Sequence, residues 1–229
     1  KEKFNLRYSL MINTEPHDRE NEDIGLIHNG SIGKIMPLVY IKGKLSHASK
    51  VYEGFNPTLL LSEIVKRTEL NPEFIDTVGE SVSPPPTWLY MKDRKKVYDV
   101  SLPLSAGGYM SVLPLKSSPE EILDLLVHIS TEAFNEVIEH MNSQYKIYMN
   151  QLKKEYAPLP WKPNVKTFKE IYEEAKKDFG NEFIHAYNQT SNKIKVKIDH
   201  GTLSLVEGAF LLIEKTLEYI KDTSPVVVI

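Results

Sequence analysis

Two residues stand where chemistry could be carried out. Glu15 follows Leu6, Tyr8, Leu10 and Ile12, whose alternation with Arg7 and Ser9 predicts a strand. The loop signal Asn13-Thr14-Glu15-Pro16 then puts the carboxylate just past the carboxyl end of that strand, where open α/β sheets hold ligand-binding groups. A carboxylate there suits a cation such as zinc, although the commoner role of such a loop glutamate is to face water. His47 lies in Gly43-Lys-Leu-Ser-His47-Ala48-Ser49, between a strand end and the helix cap Asn56-Pro57. An imidazole so placed could donate to a developing oxyanion; spacing alone is met more often by an ordinary loop histidine.

The remaining polar constellations carry less. No His-Glu-x-x-His or other compact ligand set occurs among the seven histidines. Glu136 and His140 are four apart on one helix face, a spacing that usually marks a surface interaction, and His128, His185 and His200 read the same way. Glu120-Glu121 and Glu173-Glu174 fall at helix starts or surfaces, where they complement the helix dipole. There is no Gly-rich phosphate loop, and no Ser-His-Asp arrangement can be read from spacing. The absence of cysteine excludes disulfides, thiolate metal sites and a thiol nucleophile.

The elements that must position Glu15 and His47 follow from periodicity and capping. Asn29-Gly30, between Gly25–His28 and Ser31–Lys34, predicts a hairpin. Its second strand runs through Ile35, Val39 and Ile41 to Gly43, apolar on both faces and so central. Asn56-Pro57 opens a helix with Leu60, Leu61, Ile64, Val65 and Thr68 as its buried stripe. Residues 76–87, with Pro84-Pro85-Pro86, read as loop, and Val97–Leu102 and Tyr109–Leu113 as short strands around Ser105–Gly108. Ser118-Pro119-Glu120-Glu121 is a capping box for a long helix through Ile122, Leu126, Ile129, Val137 and Met141. If that helix continues to Leu152 it is about 50 Å long at about 1.5 Å per residue. Thr167–Glu170 caps another helix ending near Gly180, Lys193–Ile198 alternates as a strand, Ser204–Glu207 caps a last helix to about Asp222, and Val226–Ile229 reads as a buried strand. Strand pairs each followed by a helix point to an antiparallel sheet with helices on one face.

Bulk properties narrow the partners. The 229 residues fit one large or two small domains. A formal charge of −3 argues against nucleic acid, and Lys92-Asp93-Arg94-Lys95-Lys96 reads as a solvated turn or strand edge. No apolar run reaches membrane-spanning length. A cytoplasmic location is the expectation that fits the missing cysteines. The start at Lys1 without Met and the end on Pro225-Val-Val-Val-Ile229 suggest an excised piece of a longer protein.

The segment resembles the lid of the aminoacylase, carboxypeptidase G and succinyl-diaminopimelate desuccinylase family of di-zinc metallopeptidases. Those lids carry Gly-x-x-x-His-(Ala/Ser), then Gly-x-Asn-(Ala/Pro) opening a helix; here the match is Gly43, His47, Ala48, Gly54, Asn56 and Pro57. The arginine-utilisation branch is similar also at Gly30–Lys34, Glu69–Pro72, Pro84–Pro86 and Trp161–Thr167, so that the resemblance spans most of residues 8–229. It implies an α+β, ferredoxin-like lid with a four-stranded antiparallel sheet and helices on one face, inserted into an α/β catalytic domain. Residues 1–30 would end the first part of that domain, 31–200 would be the lid with a helical extension, and 201–229 would return to the catalytic domain. The resemblance further implies two zinc ions per subunit with Glu15 as one ligand, and a homodimer formed through the lids. It implies that His47 reaches the partner subunit's active site, and that the substrate is a small amino-acid derivative or short peptide. The family's His-x-Asp, bridging Asp, Glu-Glu base pair and final His ligand have no match, so the chain alone is catalytically incomplete. The alternative is a non-catalytic dimerisation or small-molecule-binding module on the same lid fold.

Overall fold

The structure, a computed structural model, describes residues 21–23 and 31–229. The strand expected over residues 6–12, Glu15 and the Asn29-Gly30 hairpin lie outside the described residues. The chain divides into a unit of residues 1–32 and a larger one of residues 33–229. In the first, the Asp23 N–H donates to Asn21 Oδ1 at 2.9 Å.

The larger unit is built on a sheet whose centre is β1 (Leu38–Lys42). Along it Val39 and Ile41 face one way and Tyr40 the other, and all three are buried. Helix α1 (Pro57–Thr68) follows, capped by Asn56, whose Oδ1 accepts from the Thr58 N–H. Its buried Leu60, Leu61 and Ile64 are each worth about 1.5–3 kcal/mol of burial. A separate two-stranded ribbon, β2 (Thr77–Val78) with β3 (Ser81–Val82), precedes the hairpin strands β4 (Thr87–Asp93) and β5 (Ser105–Ser111). Then come α2 (Pro119–Gln151), the two-residue β6 (Val165–Lys166), α3 (Phe168–Asp199), α4 (Leu205–Leu217) and β7 (Val226–Val228).

The sheet order is β4-β5-β1-β7-β6. Neighbours are antiparallel except β6 and β7, which are parallel. The fold is α+β as expected, but the sheet has five strands instead of four and is mixed instead of purely antiparallel. Helices cover both of its faces, not one. The reason lies in β1 and β7, which are apolar on both sides. Val39, Ile41 and Val227 join α1 and α2 in one core, while Tyr40, Val226 and Val228 join Ile171 of α3 and Phe210, Ile213 and Leu217 of α4 in a second. Gly107 in β5 is what lets α4 sit down, because a Cβ there would lie 2.8 Å from Phe210 Cζ. Strand β7, from the segment assigned above to a returning domain, lies beside β1 in this same sheet.

Several other expectations change. Strand β4 was not foreseen. It starts directly after the prolines, held to the end of α1 by Glu69, which accepts from the Trp88 N–H at 2.7 Å, and by the Trp88 indole donating to Thr68 Oγ1 at 2.7 Å. Residues 97–102 are not a strand: Tyr98 is 93% exposed, and only an isolated bridge of Ser101 to His47 remains. Ser105–Gly108 is not a loop but the first half of β5. Helix α3 breaks at Gly180 (φ 54°), where one helix was expected to end, yet it resumes and takes in Lys193–Ile198. Ile194 and Ile198 satisfy an alternating pattern and an i, i+4 pattern alike. The structure uses the second, setting both against Gly208 of α4, and Val196 is left exposed.

The most heavily hydrogen-bonded carboxylate of this unit is Asp76, which is buried ahead of the α2 capping box. It accepts from the N–H groups of Leu115, Lys116 and Ser117 at 2.8–2.9 Å and from the Ser117 hydroxyl at 2.6 Å. Burial alone would raise its pKa, but these donors outweigh burial and hold the carboxyl well below the ordinary range. Asp76→Asn should therefore lower stability by about 2 kcal/mol, measured as a lower urea midpoint at unchanged slope. Because the folded pKa lies below the unfolded value of about 3.9, the contribution is fully present above that pH. It is lost as pH falls toward the depressed folded value, so the gap between the two proteins should narrow in acid.

Candidate functional site

His47 sits at the tip of a closed loop that joins β1 to α1. At its base Lys44 and Phe55 exchange two backbone hydrogen bonds of 3.0 Å each. Phe55 is fully buried against Phe134, with ring centroids 5.2 Å apart, and edge-on to Trp161 at 6.0 Å. The glycines of the motif have steric reasons. A Cβ on Gly43 would overlap the Phe55 carbonyl oxygen and lie 2.7 Å from Pro57 Cδ, and one on Gly54 would lie 2.8 Å from the Lys44 carbonyl oxygen.

The tip is fixed as well. His47 caps the 3₁₀ turn Ala48–Glu53 through Nδ1, which accepts from the Ser49 N–H at 3.1 Å. In a neutral imidazole this makes Nε2 the nitrogen that carries the proton. Alongside, Ala48 donates to the Val100 carbonyl at 2.8 Å and Leu102 to that of Ser46 at 2.9 Å, stitching the loop to residues 100–102. On the other side Tyr52 packs on Tyr145 and Tyr148 of α2, at 4.6 and 5.5 Å between ring centroids. The His47 side chain is exposed on this braced support. The ring is thus held at Nδ1 by its own turn, on a loop pinned from both sides.

A cavity of about 550 Å³ lies on the far side of the 94–104 segment. Tyr40, Lys42 and Ser105 of the sheet line it together with Glu214 and Leu217 of α4 and its C-cap Glu218, and the segment itself supplies residues 94–97, 99 and 101–104. Arg94 turns inward, its side chain only 9% exposed. Its guanidinium takes Glu207 in both oxygens at 2.9 and 3.0 Å, and Glu214 Oε1 through Nε at 2.6 Å. Below it the Phe210 ring is 4.6 Å from Cζ. Burial would lower the Arg94 pKa, but the bonds from Glu207 and Glu214 hold it raised. Arg94 in turn holds the Glu207 carboxyl down. The Tyr40 hydroxyl, pushed up mainly by burial, donates to Glu214 Oε1 at 3.4 Å. Lys95 is tied to its own segment, through Asp99 Oδ1 at 2.7 Å and the carbonyls of Asp99 and Ser101 at 2.8 and 2.7 Å.

Sequence reasoning missed this cluster by treating Arg94 as one charge of a solvated run. The available signal was on α4, where Glu207 and Glu214 are seven residues apart on the same stripe as buried Phe210 and require a cation.

Of the residues singled out in the sequence, His47 is placed and Glu15 lies outside the described residues. Among the described residues no three His, Asp or Glu side chains come together as a metal site. Glu136 pairs with Arg67 and not with His140, while His128 approaches Glu132 at 3.5 Å. Glu121 serves the α2 capping box, accepting from the Ser118 N–H at 2.7 Å.

No family model matches the chain. Among curated proteins it is similar to the Uncharacterized protein YqjN of Bacillus subtilis (strain 168), 29% identical over 180 residues that cover 78% of this chain and 32% of that protein. It is also similar to Protein RocB of the same organism, 27% identical over 163 residues, 70% of this chain and 29% of RocB. Both are distant homologues, and the chain spans about a third of the length of these curated relatives. No helix among the described residues is long and apolar enough to cross a membrane.

A Gly→Ala change at a compatible site stabilises by about 0.4–1 kcal/mol, whereas overpacking costs about 1–3 kcal/mol. Because the obstacle here is backbone, Gly43→Ala should be net destabilising. The lower midpoint should be accompanied by faster amide exchange at Lys44 and Phe55, whereas Gly79→Ala in the β2–β3 turn, where a Cβ meets nothing within 4 Å, should leave those two amides unchanged.

Proposed function

We propose that this chain is the central segment of a RocB-like, zinc-dependent amidohydrolase or exopeptidase. On this reading it supplies the lid, the dimer contact and one metal ligand, and the whole enzyme cleaves an amide bond in an amino-acid derivative or short peptide within arginine utilisation. The observation that carries the reading is the Gly43–Pro57 loop. Gly43, Gly54, Asn56 and Pro57 of the lid motif each have a structural task in it, and His47 spends only Nδ1 on its own turn, which leaves Nε2 to donate. The similarity to RocB supports the branch.

The fold is compatible with the lid. On this reading strands β4-β5-β1-β7, antiparallel in that order with α1 and α2 in the crossovers, stand for the ferredoxin-like core of the lid, and β6, α3 and α4 for an insertion before β7 that makes the sheet five-stranded and mixed. This reading carries the lid through to β7, leaving residues 1–30 as the end of the first catalytic part. The described residues do not make a zinc site. The two zinc ions expected per subunit would draw only Glu15 from this chain.

His47 Nε2 would donate to the oxyanion that develops on the substrate carbonyl in the partner subunit's site. Such a donor does most where water is excluded. In the full-length enzyme His47→Ala should lower kcat by about 10²-fold or more with zinc content unchanged. A variant with unaltered kcat would remove His47 from this role.

The homodimer is assigned to the outer edge of β4, which among the described residues has no strand beside it and which exposes Leu89 and Met91. An unpaired edge of this kind invites a second strand. Replacing both Leu89 and Met91 by Lys should convert a dimer to a monomer in light scattering while leaving the melting temperature of the lid nearly unchanged. A persistent dimer would move the contact elsewhere.

A further inference from the structure

The cavity beneath the 94–104 segment has a charge pattern that folding alone does not require. Arg94 is satisfied by Glu207 and by Oε1 of Glu214, which also accepts from Tyr40, so among the described residues the second carboxylate oxygen of Glu214 takes no hydrogen bond. One helical turn on, Glu218 lines the same wall and uses only Oε2, in a pair with Lys215 outside the cavity. The cations opposite are not matched to these oxygens. Among the described residues Lys42, on β1, and Lys96, on the loop, make no close ion pair, Asp222 and Glu207 acting on them only at longer range, while Lys95 is consumed by its own loop. The same lining carries the aliphatic side chains of Leu45, Leu104 and Leu217.

We propose that this cavity binds an aliphatic zwitterion, a short chain with a cationic amino group at one end and a carboxylate at the other, as in an ω-amino acid. The amino group is taken by Glu214 of α4 and by its C-cap Glu218, the carboxylate by Lys42 and Lys96, and the methylene chain lies on the leucines. The two signs come from different walls, so an anion alone would meet the α4 carboxylates and a cation alone would meet the lysines. Only a dipolar ligand satisfies both. Its volume, about 550 Å³, falls in the range of small-molecule sites. The buried Tyr40 hydroxyl and the Arg94 guanidinium are already fixed by Glu214 and Glu207, which leaves the α4 wall preorganised. The proposal does not depend on zinc chemistry or on the role of His47.

The test is isothermal titration calorimetry on the protein with three probes of one chain length: 6-aminohexanoate, hexanoate and hexylamine. The zwitterion should bind saturably with a Kd below about 10 mM and at least about tenfold more tightly than either singly charged probe. Glu218→Gln and Lys96→Met, both at exposed positions, should each weaken 6-aminohexanoate by about tenfold. Glu218→Gln should leave hexanoate unaffected and Lys96→Met should leave hexylamine unaffected. Equal affinity for the three probes would reduce the cavity to an apolar crevice and overturn the proposal, as would no saturable binding of 6-aminohexanoate. Because the probe comparison uses the unaltered protein, it decides the matter even if a variant fails to fold.

Discussion

Val39 and Ile41 leave β1 on one side and Tyr40 on the other, and both directions end in apolar packing. A strand buried on both faces cannot be an edge, so β5 and β7 must flank it, and each face must be roofed by helices. The α1–α2 roof is local, made from elements joined to β1 and β5 by short connections. The α3–α4 roof comes from sequence far downstream and closes only because β7 returns beside β1. Tyr40 is where the second roof meets polar chemistry, since its ring packs with Phe210, 6.0 Å between centroids, while its hydroxyl reaches Glu214.

The same constraint explains why the lid-motif loop is stiff. Lys42 ends a strand fixed on both sides, and Pro57 begins a helix whose inner face is core. The chain between them has both ends held, and Phe55 pins the return by entering the core beside Phe134. Flexible loops lose entropy when they must present one side chain in one place. Here that cost is met by folding and not by binding.

How much of this could be read from sequence depended on whether the signal was local. Ser118 with Glu121, Thr167 with Glu170, and Asn56 with Pro57 each specify a helix start within four residues, and all three were legible. The two-sided apolar pattern of Val39 to Ile41 gave the central strand. The misreadings were cases where two periods fitted one stretch, as with Ile194 and Ile198, or where β-rich composition marked a surface, as with Val97, Tyr98 and Val100. Strand β4 was hidden because its residues are largely exposed, so no alternation betrayed it. Arg94 was illegible for a different reason. Its meaning resides in Glu207 and Glu214, more than a hundred residues later, and no local window contains both halves of a long-range ion pair.

The 94–104 segment belongs to both polar regions at once. Ser101 bridges to His47 across one side and lines the cavity on the other. Its course is set by Arg94 at one end, by the Lys95 ammonium drawing in two carbonyls of its own loop, and by hydrogen bonds to Ser46 and Ala48. Each such bond is worth only about 1 kcal/mol net, but they act on the same ten or so residues, so displacing one strains the others. A ligand that engaged Lys96 would thus be pulling on the strip of backbone against which the His47 loop is stitched. That gives the His47 loop and the cavity one shared stretch of backbone, anchored by Arg94 at one end and by the bonds to Ser46 and Ala48 at the other.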